Sequence, residues 1–479
     1  MTNFMTIVAN AGGVLGYIMV ALISLINIRF LSYFHSFFFH WSRYRQRENV
    51  TTADLQRLPM PFIKIQITTR GSPGSTEVIR RGIEYIMRLA REAPTFYGHY
   101  LSIEVVTEAE EQKHQFEREF VSYPVPVSVI VLPKDYQTPG GTQLKARGLH
   151  YMVELRRQGF NRKNGRTVIV HYDEESVMEP LELRRLFRFL ALTDKKLTEG
   201  PIYYPLEYQD ASIICRAMEA NRPIGCFECR EVMEKGVPLH LHGSNLVIDE
   251  ALENELGWDI GNLDGQPFIA EDYVFGVNAY LRYGSSIFGW HGSAMLEQPP
   301  FSFKSAFRQR YRWIIGVLQG MEMMKRMPTF YQIPRKLRFQ LTWGTRYRIS
   351  TFALGLPAGV ISVLYLLVQY VQFLLGHHMA PPLSLVLMFW MILAGFLWLN
   401  SIFIGAWYNI SNILRLPLSE AIAEMGKVIL VAPIAGIMES SAAFWAVVQW
   451  IRGNRRVTWK PTPKTVAADK VSIRAEGAQ

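Results

Sequence analysis

Apolar residues along this chain fall into two kinds of run. Long unbroken blocks stand near both ends, and short, regularly spaced runs fill the middle. From Thr6 to Phe30 the sequence TIVANAGGVLGYIMVALISLINIRF carries no charge before Arg29. That suits a helix crossing a hydrocarbon core, which takes about 20 apolar residues. It is too long for a signal-peptide core and has no basic segment ahead of it. The aromatic stretch LSYFHSFFFHW, Leu31 to Trp41, is interrupted by His35 and His40, and it is expected to lie in the membrane interface. Arg43, Arg45 and Arg47 follow and place that flank inside.

Two further apolar blocks, Ile349 to Leu375 and Leu383 to Trp407, are separated by the uncharged loop GHHMAPP. They read as a transmembrane hairpin with its turn outside. A third block, Val428 to Ile451, contains Pro433, Gly436 and Glu439 and runs into the basic tail RGNRRVTWKPTPK. Four single crossings would leave that tail outside, whereas its Arg and Lys residues call for inside. A segment within Leu418 to Ile451 is therefore expected to be re-entrant or interfacial.

Between Pro59 and Arg346 no long apolar run occurs, so this region is expected to fold in water. FIKIQITT (Phe62 to Thr69), LSIEVVTE (Leu101 to Glu108), VSVIVLP (Val127 to Pro133) and TVIVHYDEE (Thr167 to Glu175) each suit a buried strand. Helical patterns such as TEVIRRGIEYIMRLAREA lie between them. This alternation predicts an α/β domain with a mostly parallel sheet covered by helices on both faces. Ligands then belong at the carboxyl ends of the strands. The predicted organisation is an N-terminal transmembrane helix with an interfacial segment (1–48), an α/β domain (59–300), interfacial helices (301–346), a C-terminal transmembrane region (347–452) and a basic cytoplasmic tail (453–479).

Composition sharpens the compartment. The 479 residues include three cysteines, Cys215, Cys226 and Cys229, too few and too clustered to staple a secreted scaffold. The formal charge of +10 stands beside the apolar blocks, as at Arg452, Arg455 and Arg456, which points to membrane lipid and not to nucleic acid. The expectation is an integral protein of a plasma or inner membrane with its α/β domain in the cytoplasm and no obligate protein partner.

Candidate chemistry begins where TVIVHYDEES runs out into Asp173, Glu174 and Glu175. Asp173 and Glu175, one residue apart, can share a hard divalent cation such as Mg2+ or Mn2+, leaving positions for substrate phosphates. The same residues equally suit a helix start. In FIAEDYVFG, Glu271 and Asp272 offer a second acidic pair with Asp272 as a general base, or simply a solvated helix start. In FSFKSAFRQRYRWIIG, Gln309, Arg312 and Trp313 share one helical face. There Arg312 can grip phosphate oxygens and Trp313 can stack on a sugar; a basic helix lying on the membrane is the alternative. Cys226 and Cys229 with His240 and His242 lack the spacing of a zinc finger. His291 is a further metal candidate, or else structural. Met321, Met323 and Met324 are expected to pack against lipid or neighbouring side chains.

The order D-x-E, then an acidic pair ending in Asp272, then Q-x-x-R-W, flanked by membrane segments, resembles the family 2 glycosyltransferases such as cellulose, chitin and hyaluronan synthases. TTRG (Thr68 to Gly71), IEVVTE, the KAR of Lys145 to Arg147, DEES, HGSN (His242 to Asn245), NELGWD and QRYRW are more similar still to the egghead-type β-1,4-mannosyltransferases and their bacterial relatives. The resemblance runs from Ile65 to Trp313, and it is the ordered set of motifs that is specific. One departure is that the metal motif ends in Glu175 where Asp is commoner.

The resemblance implies a GT-A fold and an inverting transfer onto a saccharide or glycolipid acceptor. Thr69, Arg70, Glu104 and Glu108 would lie near the base and ribose of a nucleotide-sugar donor, and Lys145 and Arg147 near its diphosphate. Asp173 and Glu175 would hold the metal, and Asp272, beside Glu271, would deprotonate the acceptor hydroxyl. Gln309, Arg312 and Trp313 would close over diphosphate and acceptor sugar, and His242, Gly243, Ser244 and Asn245 would meet the acceptor. GDP-mannose is the donor the family favours, with a processive β-1,4-mannan synthase, a single-sugar glycolipid enzyme or a UDP-sugar-dependent β-glycan synthase as alternatives. The tail TWKPTPK is also similar to that of related synthases. A membrane transporter or receptor that merely senses a nucleotide would leave the ordered motifs unexplained.

Overall fold

The computed structural model describes residues 2–45, 49–72, 74–220, 222–235, 241–375 and 385–455. Arg47, His240, the GHHMAPP loop and the tail from residue 456, Arg456 included, lie outside the described residues.

Seven strands form the central sheet: β1 (Phe62–Thr68), β2 (Leu101–Thr107), β3 (Val127–Val131), β4 (Thr167–Tyr172), β5 (Leu197–Glu199), β6 (Leu246–Asp249) and β7 (Phe288–Trp290). Their order is β7-β5-β6-β4-β1-β2-β3. β4, β1, β2 and β3 are parallel, with Ile63 opposite both Leu101 and Val168. β6 runs antiparallel to β4 and β5, while β7 is parallel to β5. The mixed sheet is the mostly parallel one expected, and all four strands read from the sequence are present.

The helices that matter below are α1 (Thr2–Arg45), α2 (Ser75–Glu92), α3 (Leu144–Arg157), α4 (Pro180–Leu192), α5 (Ile213–Ala220), α6 (Arg222–Lys235) and α7 (Glu250–Leu256). They continue as α8 (Glu271–Tyr283), α9 (Phe303–Arg326), α10 (Arg335–Ala353), α11 (Gly355–Leu374), α12 (Leu385–Tyr408) and α13 (Leu418–Ile451). α2 forms because Val78, Ile79, Ile83, Ile86, Met87 and Ala90 recur at helical spacing. That stripe buries against Ile63, Ile65 and Ile67 of β1 together with Leu183 and Leu186 of α4.

The opposite face of β1 and β2 presents Lys64, Gln66 and Glu104, all fully buried. Burial of charge is tolerable only with close partners. Lys64 Nζ donates to Glu250 at 2.8 Å and stands 4.0 Å from Glu104. Arg156 donates to Glu253 at 2.6 Å and to Gln66 at 3.2 Å. Glu253 also receives Trp258 Nε1 at 2.6 Å and lies 2.9 Å from His171. α3 and α7 are thereby fixed to the back of the sheet. Met321 and Met324 are buried beside Tyr273 and Phe275, so the methionine cluster packs within the protein.

Among the described residues four helical stretches are long and apolar enough to cross a membrane, over residues 13–39, 335–374, 389–413 and 418–451. α1 does not stop at the aromatic stretch: it continues unbroken through Leu31 to Trp41, where Phe37 meets Phe227 of α6 edge to face at 5.4 Å. In its first half α1 packs on α11 and α12, with Gly16 against the Tyr365 ring and Ser24 accepting from Trp390 Nε1 at 2.5 Å. α13 is likewise a single helix through Pro433, so no re-entrant break occurs within it.

Glu253 makes a measurable contribution to stability. Burial alone would raise its pKa, but Arg156, followed by His171, outweighs that and holds it at about 2, below the ordinary 4.5. Because the folded value is depressed, the stabilisation is complete above pH 4.5 and is lost as pH falls from there towards about 2. Glu253→Gln is expected to cost about 3–5 kcal/mol by leaving Arg156 unpaired in the interior. Thermal unfolding in detergent across that pH range checks both statements: the wild type should lose its advantage over the variant as the pH drops.

Candidate active site

The carboxyl ends of β1, β2 and β4 lie side by side, and the residues that follow them form one edge. Thr69 Oγ1, just past β1, donates to Glu174 at 2.7 Å and accepts from Gly71 N. Gly71 has φ +69°, and a Cβ there would sit 2.4 Å from that of Ala109, so the turn admits only glycine. Past β2, Glu108 receives Arg147 at 2.9 Å and stands 3.7 Å from Arg70.

Asp173 and Glu175 occupy a tight turn after β4, not the strand and not a helix start. Ser176 N donates to Asp173 O at 3.1 Å, and Asp173 N donates to Ser176 Oγ at 3.1 Å. Lys145 enters from the first turn of α3, directly after Leu144, whose φ of +59° is strained for a branched side chain. Its ammonium donates to Asp173 Oδ1 and, at 2.9 Å, to the carbonyl of Gly243. Gly243 is pressed so close that a Cβ would lie 3.4 Å from both Lys145 Nζ and Asp272 Oδ2.

Glu271 and Asp272 do begin a helix, α8, but Glu271 is buried in it and Asp272 half-buried, instead of solvated. Burial, then the neighbouring Glu271 charge, raises Asp272 well above the usual aspartate range, against the pull of Tyr273 N–H at 2.8 Å and of Lys145. Burial likewise raises Glu271, opposed by Lys145. For Lys145 itself burial works against the charge, yet Asp173, Glu271 and Asp272 together hold its pKa above the ordinary lysine value. Arg312 of α9 faces the same cluster: burial lowers its pKa, and Glu271, Asp173 and Glu175 act in the other direction.

On the same helix Gln309 accepts from Arg310 at 2.5 Å. The Trp313 indole is 39% exposed. The guanidiniums of Arg222 and Arg310 lie over its ring at 5.0 and 4.7 Å, a cation–π arrangement. Arg310 is itself anchored by Glu219 and, at 3.3 Å, by Glu439 of α13. Sequence reasoning missed Arg222, Arg310, Glu219 and Glu439. Arg310 stands inside the QRYRW motif and was the only signal, because the other three come from distant segments.

Several expected site residues are placed elsewhere. Glu104 sits in mid-strand, fully buried, held by Lys64 and by Asn161 at 3.1 Å, so it does not reach the strand ends. Ser244 donates to buried Glu297. Asn245, at φ +56°, spends its amide on the carbonyls of Pro201 and Ser293, each at 2.9 Å. Of HGSN, Gly243 alone borders the carboxylates, and His242 turns towards Glu199 at 3.4 Å. His291, the further metal candidate, has Nδ1 accepting from Ser293 N at 3.2 Å and Nε2 facing Asn245 O at 3.3 Å, so both ring nitrogens are engaged by backbone. Burial lowers its pKa to about 4, keeping it neutral.

Among the described residues no three His, Cys, Asp or Glu side chains converge as a cation cage. The donor set nonetheless fits a hard divalent ion held by one or two carboxylates and substrate phosphates. Asp173 is 39% exposed at the strand end, and buried acidic groups crowd beside it with raised pKa values. Asp173, with Glu175 next to it in the turn, is where such an ion would sit. The three cysteines are buried thiols in no disulfide, and burial pushes Cys226 up to about 11.

Residues 168–401 match the model for glycosyl transferase family group 2, a span that takes in Asp173, Glu175, Asp272 and Gln309 to Trp313. This part of the chain is a glycosyltransferase family 2 domain. The chain is similar to the β-1,4-mannosyltransferase egh of Drosophila melanogaster, 26% identical over 260 residues, which cover 54% of this chain and 52% of that protein. It is also similar to the β-1,4-mannosyltransferase bre-3 of Caenorhabditis elegans, 26% identical over 194 residues, covering 40% and 41%. The chain thus spans about half the length of the curated relatives it matches. Among solved structures it is similar to the mannosyltransferase PcManGT from Pyrobaculum calidifontis in complex with GDP-Man and Mn2+, with a TM-score of 0.40, 12% identity, and coverage of 86% of this chain and 98% of that one. A superposition that weak bears on neither the ligand nor the metal of this chain.

Replacing His291 separates its two readings. His291→Ala is expected to lower stability by roughly 1–3 kcal/mol, because the Ser293 amide and the Asn245 carbonyl lose a buried partner. It should leave Mn2+ affinity unchanged. Thermal unfolding and Mn2+ titration by electron paramagnetic resonance check the pair of outcomes.

Proposed function

We propose that the chain is a membrane-embedded, metal-dependent inverting glycosyltransferase that moves mannose from GDP-mannose onto a saccharide acceptor in β-linkage. The observation that carries this reading is the half-buried Asp272 carboxylate, raised in pKa and set against Gly243 and Lys145 at the carboxyl edge of the sheet. A carboxylate in such surroundings is suited to accept a proton near neutral pH. The matched relatives are β-1,4-mannosyltransferases, which favours mannose over other hexoses.

In this reading Thr69, Arg70 and Glu108 line the seat of the donor's base and ribose. Lys145, Arg147 and Arg312 meet its diphosphate, and Gln309 orients Arg310 and with it the Trp313 indole towards the acceptor sugar. A divalent ion bound at Asp173 and Glu175 would supply positive charge to the diphosphate. Asp272 takes the proton of the acceptor hydroxyl. The oxygen of that hydroxyl forms the new bond to the anomeric carbon as the bond to the diphosphate breaks, and the diphosphate leaves with that electron pair. Arg312 and Lys145 offset the charge it gains. One displacement inverts the anomeric centre, so an α-linked donor gives a β-linked product. Whether the sugar is added once to a glycolipid or repeatedly into a mannan is read from product length.

Asp272→Asn is expected to lower transfer by about 10²–10⁴-fold, since an amide cannot take the proton, while donor affinity changes little. Labelled GDP-mannose, UDP-glucose and UDP-N-acetylglucosamine, each supplied with Mn2+ or Mg2+ to the protein in nanodiscs, give the readout. Wild-type turnover by the variant would overturn the base assignment, and incorporation from a UDP-sugar alone would overturn the donor.

A further inference from the structure

α13 is a long apolar helix of the C-terminal half, yet its partners lie foremost in α5 of the α/β domain and in α9, which follows that domain. Glu424 pairs with Arg216 of α5 at 2.8 Å. Val428 and Ala435 share a packed cluster with Cys215, Met218 and Ala306. Glu439 meets Arg310 of α9 at 3.3 Å. Val447 packs against the cluster that contains Met324 and Leu341, and Trp450 against Leu263, Phe268 and Val274. Just past the helix Arg455 bonds Asp264 at 2.8 Å, an aspartate also held by Arg326. From Glu424 to Trp450 the helix rises about 40 Å at 1.5 Å per residue. That exceeds the roughly 30 Å of a hydrocarbon core. A helix bound to water-exposed loops and an ion-paired domain over such a length cannot be threaded through that core.

Its contacts with the other apolar helices agree. α13 meets α11 where α11 begins: a Cβ on Gly355 would be 2.8 Å from Ser440, and one on Gly359 would be 3.1 Å from Ile437. It meets α12 where α12 ends, at Ala406 and the following Ile410, which pack with Ala421, Met425 and Val428. It therefore passes across the domain-side ends of this pair. The face turned away from the protein is apolar, with Leu418, Ile422, Leu430, Ile434, Phe444, Trp445 and Ile451 exposed and Leu430 at 79%.

We propose that α13 lies in the plane of the membrane with this face in lipid, beneath the α/β domain, and does not cross. The inference rests on the reading of the chain as membrane-embedded and not on its sugar chemistry. α1, α11 and α12 are then the crossing segments, and residue 455 stays on the same side as the α/β domain. The conflict between the basic tail and a count of four crossings disappears.

Two measurements on the full chain in sealed lipid vesicles test it. A membrane-impermeant maleimide is applied to single Asn454→Cys and Glu117→Cys variants; the native cysteines are buried. Both positions should label from the same side, and labelling from opposite sides overturns the proposal. A fluorophore on Leu430→Cys, Ile434→Cys or Phe444→Cys is then quenched by lipids carrying nitroxides at two depths. These side chains lie on the helix face turned away from the protein, so a label at each reaches lipid in either orientation. An in-plane helix places all three at one shallow depth. A crossing helix separates Leu430 from Phe444 by about 21 Å along its axis, and a depth difference above about 10 Å overturns the proposal. Loss of sugar transfer with both results intact would count against the proposed function alone.

Discussion

One ammonium group holds the site together. Lys145 stands among Asp173, Glu271 and Asp272, three carboxylates that arrive from the end of β4 and the start of α8. Without that cation two adjacent carboxylates, Glu271 buried and Asp272 half-buried, beside a third would repel one another and protonate. The chain accepts a left-handed Leu144 to deliver it. It also places a glycine at 243, where the carbonyl receives the lysine and Asp272 passes within van der Waals distance. Arg312 adds a second positive charge from α9, so the cluster closes only once the segment after the α/β domain has folded back over it.

The scaffold behind the cluster answers a different requirement. Parallel strands bring Thr69, Glu108 and Asp173 to one edge because each strand ends where its neighbour ends. The reverse face of β1 and β2 is charged, and it is kept from water by mutual pairing among Lys64, Glu250, Arg156 and Glu253. Polar groups at this depth favour a single register, since a shift of one residue would turn Lys64 and Gln66 into the apolar core around Ile63 and Ile65. The precision of the edge therefore derives from a network that touches no ligand.

These two features were not equally legible in the sequence. Runs such as FIKIQITT announce themselves by β-branched residues, and α2 by its periodic apolar stripe. The acidic groups at 173, 175, 271 and 272 were visible because they interrupt such runs. Glu104 was misassigned because an alternating strand puts charge on one face whether that face meets a ligand or a buried lysine. Ser244, Asn245 and His291 bond within the protein for a related reason: polar residues near glycine find protein partners as readily as substrate. The clamp of Arg222, Arg310 and Glu219 around Trp313 combines two segments about 90 residues apart, and no local pattern encodes it.

Hydropathy alone makes α13 a membrane span, since its composition matches helices that cross. What distinguishes it is where two of its three acidic residues point. Glu424 and Glu439, 15 residues apart, both find arginines of the α/β side, so the charged stripe runs the length of the helix instead of marking one end. Glu439 grips the same Arg310 that lies over Trp313 and leans on Gln309. The QRYRW helix is thus fastened directly to the element that lies on lipid. An acceptor sugar that reaches Trp313 would do so at the height of the membrane surface, as suits either a glycolipid head group or a chain entering the bundle of crossing helices.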